Sequence, residues 1–273
     1  MSARGGGWRG WLAPARPAEP PVVTDPAQRR ALIVEVVLVL AVTLGLSGIR
    51  SLLALLDALL APGSLGDQKV AINAPVRRIE LLDLGYQLTG VVQLLAWGGL
   101  GGYLLWRSGI PLRSIGLSGW PTGTDVGLGA GLAAVIGGPG LGLYLLVHAA
   151  GLSLTVLPSA LDDTWWRVPV LVAAAVANAL AEELLVVAYL ITRLRQLGSG
   201  EGATVLASAA LRGSYHLYQG FGGLVGNLVM GLVFARFWQR TTRLWPLICA
   251  HALIDIIAFI GYALLRDHLP WLP

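Results

Sequence analysis

Apolar residues gather in seven long runs, separated by short stretches rich in arginine, glycine, proline and tryptophan. With about 20 residues needed to cross a hydrocarbon core, the runs predict spans at 31–60, 80–106, 125–150, 168–192, 202–219, 221–238 and 244–265. The first is long enough to tilt, to break at Ser47-Gly48 or to form two segments. The pattern therefore predicts an all-α polytopic membrane bundle of seven to eight transmembrane helices. The run DVGLGAGLAAVIGGPGLGLYLLVHAA is dense in glycine, with Gly127 and Gly131 spaced for close helix approach and Pro139 placed for a kink. No Gly-Lys-Ser/Thr follows it, so it is not a phosphate-cradling loop.

Composition agrees with this pattern. Charged residues make up 12% of the 273, about half the usual share of a soluble domain. The net charge of +4 needs no nucleic-acid partner, because basic residues beside spans report orientation. With the N-terminus inside, Arg4, Arg9, Arg16, Arg29, Arg30, Arg107, Arg113, Arg193, Arg195, Arg236, Arg240 and Arg243 fall on the cytoplasmic side. Lys69, Arg77, Arg78, Arg167 and Arg266 fall outside, and twelve against five satisfies the positive-inside rule. Trp106, Trp120, Trp165, Trp166, Trp238, Trp245 and Trp271 lie near the expected interfaces. Cys249 is the only cysteine, which excludes an intrachain disulfide. One lysine against eighteen arginines suggests a GC-rich bacterial source, and hence a multi-pass plasma-membrane protein. Residues 1–30, polar, Pro/Gly-rich and without the apolar core of a signal peptide, read as a disordered cytoplasmic tail whose Trp8 and Trp11 touch headgroups. Two further regions follow: N-terminal transmembrane helices at 31–160 and a helical core carrying the candidate chemistry at 165–266.

The adjacent Glu182 and Glu183 break the apolar run LVAAAVANALAEELLVVAYLI. A carboxylate at the centre of a membrane helix costs roughly 2.5–3.5 kcal/mol on insertion scales, so two together call for a function. Later segments carry His216 and the pair His251/Asp255. At about 1.5 Å per residue, Glu182, His251 and Asp255 lie roughly 10–17 Å from the cytoplasmic edge and His216 roughly 21 Å, close enough for tilted helices to let all four line one cavity open to the cytoplasm. His251 and Asp255, four apart, project from one helix face, whereas Glu182 and Glu183 point about 100° apart. Glu182 is thus the inward carboxylate and Glu183 its brace. A desolvated glutamate beside imidazole donors suits activation of water against an amide bond, with the histidines stabilising the oxyanion and Asp255 orienting one imidazole or taking a proton.

The order Glu182-Glu183, then His216, then His251-Ala-Leu-Ile-Asp255 resembles the CPBP family of intramembrane proteases, the group of CAAX prenyl protease 2 and the bacteriocin-processing or Abi proteins. The string GLVFARFWQRTTRLWPLICAHALID looks like that family's helix–turn–helix, and the resemblance covers about residues 165–260. It implies an intramembrane endopeptidase in which Glu182 activates water and Glu183 supports it. His216, His251 and Asp255 would stabilise the oxyanion, with membrane-embedded or membrane-proximal peptides as substrates. Two positions depart from the family pattern. The arginine expected four residues after Glu183 is Val187, and the phenylalanine expected four before His216 is Arg212. Arg212 is therefore expected to replace the missing guanidinium by pairing with Glu183 from the neighbouring helix.

A proton-coupled transporter is the alternative class, and a catalytically inactive scaffold of the same fold is another. No cofactor is expected; if zinc is bound, Glu182, His216 and His251 are the ligands. His148 and His268 read as structural, Glu35 and Asp57 as reaching headgroups, and Arg50 as marking a helix break or pairing with a neighbour. Tyr215, Tyr218 and Gln219 are polar enough to line a wet cavity, but their spacing assigns no role. Arg236, Arg240 and Arg243 read as the basic face of a cytoplasmic turn suited to anionic lipid.

Overall fold

The computed structural model describes residues 20–265. The expected tail through residue 19, with Trp8 and Trp11, lies outside the described residues, as do Arg4, Arg9, Arg16, Arg266, His268 and Trp271. The first helix, α1 (Pro26–Val42), begins before residue 31, because Asp25 caps it by accepting from Gln28 N at 2.8 Å and proline opens its first turn. A 49° bend separates α1 from α2 (Leu44–Leu60). The break falls at Thr43 rather than Ser47-Gly48, where the Thr43 hydroxyl donates back to Val39 O at 2.6 Å. Arg50 is exposed on α2.

Long helices follow: α3 (Glu80–Arg107), α4 (Gly123–Ala149) and α5, which runs continuously over Arg167–Gln196. Beyond a short helix α6 (Glu201–Ser214) come α7 (Phe221–Thr241) and α8 (Trp245–Leu265). Among the described residues eight helices make an all-α bundle, and this is a multi-pass membrane protein. Among the described residues five helices (α3, α4, α5, α7, α8) are long and apolar enough to cross a bilayer, or six with the bent pair α1/α2 as one span. Large apolar side chains along that pair, such as Val37, Leu53 and Leu60, are exposed as lipid-facing residues should be.

The segment 202–219 differs from the expected span. Fourteen residues of α6 rise only about 21 Å. The chain then turns through Leu217–Gln219 to Gly220, which bridges Ser153 beyond the end of α4. Gly220 has φ +93°, a left-handed conformation that favours glycine. His216 therefore sits in a turn packed into the bundle, not along a helix. Two five-residue strands that the apolar pattern did not reveal, β1 (Lys69–Asn73) and β2 (Thr155–Ser159), pair in parallel with Lys69 opposite Thr155. The turn leading into β1 is fixed by Ser64, whose two hydrogen bonds hold the Asp67 carboxyl below the usual carboxylate range. His148 belongs to the same structural region, contacting Thr155 Oγ1 at 2.9 Å.

The expected approach through Gly127 and Gly131 does not occur, since nothing lies within 4 Å of a Cβ placed at either. Gly129 makes the α4–α8 contact instead, with Cys249 Cβ 2.6 Å from where its own Cβ would be. On α3, Gly98 admits the backbone of α5, for a Cβ there would stand 3.1 Å from Ala181 Cα and 3.2 Å from Leu180 O. Gly98→Leu is expected to push α5 outward just before Glu182 and to destabilise by about 1–3 kcal/mol. The check is the midpoint of unfolding in a detergent titration; a wild-type midpoint would count against this packing.

Glu35 also differs from expectation. Arg193, near the cytoplasmic end of α5, is 2% exposed, and its Nε donates to Glu35 Oε1 at 2.8 Å. Its other donors reach Ser108 Oγ, Gln196 Oε1 and Leu104 O, while the Tyr189 hydroxyl also donates to Glu35 at 2.9 Å. Glu35 thus ties α1 to α5 rather than reaching headgroups. Arg236 and Arg243 are likewise paired, with Glu201 and Asp125.

Candidate active site

Both glutamates lie where α5 changes its winding. The α-helical part ends at Glu182, and Glu183–Tyr189 is π-helical before α-helix resumes at Leu190. Such wide turns concentrate at functional sites because they displace side chains from regular helical register. Ser208 on α6 supports the segment by donating to Val186 O at 2.8 Å. Every residue from Glu182 to Ile191 is buried, with Glu182 3% and Glu183 0% exposed. Two adjacent carboxylates this deep need counter-charge and hydrogen bonds.

Arg212 supplies the charge. Its Nη2 donates to Glu183 Oε1 at 2.6 Å, and its Nη1 stands 3.5 Å from Glu182 Oε2. The guanidinium is 0% exposed and lies 5.5 Å from the centre of the Phe234 ring. Gly231 makes this approach feasible, because a Cβ there would stand 2.7 Å from Ala209 Cα and 3.4 Å from Arg212 Cδ. Val187 is fully buried among apolar neighbours. The charge facing Glu183 therefore comes from α6, across a helix interface.

His251 reaches the same carboxylate oxygen from α8, with Nδ1 2.8 Å from Glu183 Oε1. Since a carboxylate oxygen accepts, Nδ1 carries the proton in this contact. The other ring nitrogen lies 3.6 Å from Asp255 Oδ2, one turn along the helix. Asn178, one turn before Glu182 on α5, donates to Asp255 Oδ2 at 3.0 Å and stands 3.5 Å from His251 Nε2. Glu183, His251, Asp255 and Asn178 thus form a chain of contacts joining α5 to α8.

Glu182 faces a different partner. The Tyr215 hydroxyl donates to its Oε2 at 2.6 Å. The next residue, His216, packs its ring 4.9 Å from that of Tyr215, and its Nδ1 lies 3.3 Å from Gln219 Nε2. His216 Nε2 is buried and, among the described residues, has no hydrogen-bond partner; the same holds for Arg212 Nη1 and Nε and for Glu183 Oε2. Four of the seven buried side-chain atoms without a partner thus belong to this one cluster, which is where a polar guest would be bound.

All five expected site residues and Arg212 converge here. Tyr215, Asn178 and Gln219 were not placed by spacing; their polarity within otherwise apolar helices was the available signal. Among the described residues no group of three or more His, Cys, Asp or Glu side chains is arranged to hold a metal ion. Glu182, His216 and His251 do not converge as zinc ligands, because the Arg212 cation lies against Glu182 and His251 Nδ1 is directed at Glu183. The residues present therefore do not fit zinc.

Residues 164–257 match the family model described as type II CAAX prenyl endopeptidase Rce1-like. Over that segment the chain is similar to CPBP-type intramembrane endopeptidases. The segment runs from the turn before α5 to the end of the His251/Asp255 turn, about a third of the chain, and includes every residue of the cluster. The family is one of CAAX-type intramembrane endopeptidases. No curated protein and no solved structure matches the chain.

Proposed function

We propose that this protein is an intramembrane endopeptidase that hydrolyses peptide bonds of membrane-associated proteins or peptides, with Glu182 as the water-activating base. The observation that carries this reading is the division of labour between the two glutamates. Glu183 Oε1 is occupied by Arg212 and His251, whereas Glu182 is held through Oε2 by Tyr215, the residue next to His216.

In the reaction, water oxygen attacks the scissile carbonyl carbon while Glu182 takes a water proton. Negative charge develops on the former carbonyl oxygen, where His216 Nε2, with no protein partner, serves as donor. Arg212 Nη1, ion-paired with Glu182 at 3.5 Å but without a hydrogen-bond partner, adds positive charge to the site. Return of the proton to the amide nitrogen expels the amine, breaks the C–N bond and leaves the new carboxyl terminus. His251, when protonated on both ring nitrogens, helps to stabilise the oxyanion through its positive charge, and Asp255, held by Asn178, orients that imidazole from one turn along α8. The chain's own acid–base groups carry the reaction without a metal.

Substrates are membrane-proximal segments approaching from the arginine-rich end of the bundle, cytoplasmic under the positive-inside rule. The test compares N- and C-terminal peptides of a membrane proteome with and without the chain. New termini at membrane-proximal sites are expected, and their absence would overturn the reading. Those cleavages are expected to persist at an unchanged rate after chelator treatment; loss together with stoichiometric zinc would return the metal mechanism.

A further inference from the structure

The turn that presents His216 also presents a group that the proposed mechanism uses only as a contact. Tyr215 is 5% exposed, and its hydroxyl lies 2.6 Å from Glu182 Oε2. A phenol facing a carboxylate donates, so this short bond fixes one of the two carboxylate oxygens and the rotation of the carboxyl group. Oε1 is then the oxygen directed to receive a proton from water. Among the described residues it accepts no protein hydrogen bond, in contrast to Glu183 Oε1, which takes two.

The placement of the phenol is itself built. Ser51 on α2 donates to the backbone carbonyl of Tyr215 at 2.9 Å, from 164 residues away. One turn earlier, Gly48 lets α2 close onto the same turn, since a Cβ there would stand 2.6 Å from Ser214 Oγ. The ring is flanked by His216 at 4.9 Å. Neither anchor depends on the hydroxyl, so removing the oxygen alone leaves the turn and the ring in place.

From this geometry we infer that Tyr215 is a positioning residue for the base: it immobilises Oε2 of Glu182 so that Oε1 alone activates water. This rests on Glu182 being the base. A merely structural tyrosine contributes through its ring and hydroxyl packing, and changing the acidity of an isosteric phenol leaves its role intact. A positioning tyrosine sets the charge remaining on the carboxylate, so the rate follows phenol acidity.

The experiment uses the full chain in detergent and a quenched peptide built on the strongest cleavage site found by terminal profiling. Tyr215→Phe is expected to lower kcat about 10- to 100-fold, the range for losing one hydrogen bond to a charged group, with KM within about twofold. The unfolding midpoint should hold to within the loss of one hydrogen bond. Fluorotyrosines of rising acidity at position 215 are expected to change kcat in graded order. In a Glu182→Gln background, Tyr215→Phe is expected to add nothing. Wild-type kcat in Tyr215→Phe, or a flat fluorotyrosine series, would overturn the inference while leaving Glu182 as base. Full activity of Glu182→Gln would instead overturn the base assignment on which the inference stands.

Discussion

Arg212→Leu is expected to lose about 3–5 kcal/mol of stability, the range for breaking a buried ion pair by removing one partner. The guanidinium and Glu183 are both fully buried, and Arg212 also lies against Glu182, so its loss leaves two adjacent carboxylates in a water-poor site. His251 can accompany one of them, through Glu183 Oε1. Cleavage should disappear in the same variant. Arg212→Lys is expected to recover only part of the loss, because an ammonium is a single point charge and the native guanidinium spans two carboxylates. A double variant, Arg212→Leu with Glu183→Leu, is expected to be more stable than Arg212→Leu alone, since it also removes a stranded charge. Detergent unfolding midpoints for the three variants, with a cleavage assay on each, decide the matter. A folded, fully active Arg212→Leu would show that the pair is dispensable.

Glu182→Gln carries the larger effect on chemistry. The amide keeps the size of the side chain, and its oxygen still accepts from the Tyr215 hydroxyl, so the fold is expected to remain close to native. What is lost is the ability to take a proton from water. Removing a general base lowers rates typically by about 10²- to 10⁴-fold, and a decrease of that size is expected in kcat with KM little changed. The measurement pairs peptide turnover with an unfolding midpoint, so that inactivity through misfolding is recognised. Glu183→Gln should behave differently, since that oxygen receives two hydrogen bonds and its main duty is to balance Arg212. Its stability loss should exceed that of Glu182→Gln.

Much of the site was legible because helices impose a period. His251 and Asp255 share a face by their spacing of four, and the structure keeps them one turn apart, 3.6 Å between their nearest polar atoms. The depth shared by Glu182 and His251 followed from counting residues along spans. Pairing of Arg212 with Glu183 followed from the need to compensate a buried charge. Several features escaped because no period encodes them. The π-helical stretch at Glu183–Tyr189 has the same apolar composition as the α-helix around it. Tyr215 meets Glu182 only because α6 ends at Ser214 and the chain turns, whereas hydropathy counted the turn as membrane span. Glu35 and Arg193 are 158 residues apart, and only the folded bundle makes them neighbours. Gly129, rather than the Gly127/Gly131 pair, meets α8 because the rotation of α4 is set by its neighbours.

The hydrogen bond from Ser51 to the carbonyl of Tyr215 bears on how far this protein can be divided. The segment that matches the family begins at residue 164, so α2, which clamps the turn behind the base, lies wholly outside it. A fragment trimmed to the family segment would keep every acid, base and donor of the cluster, yet lack the strut that aims one of them. Transplanting the chemistry onto another scaffold, or shortening this one, would have to carry along a helix that contributes no reactive group.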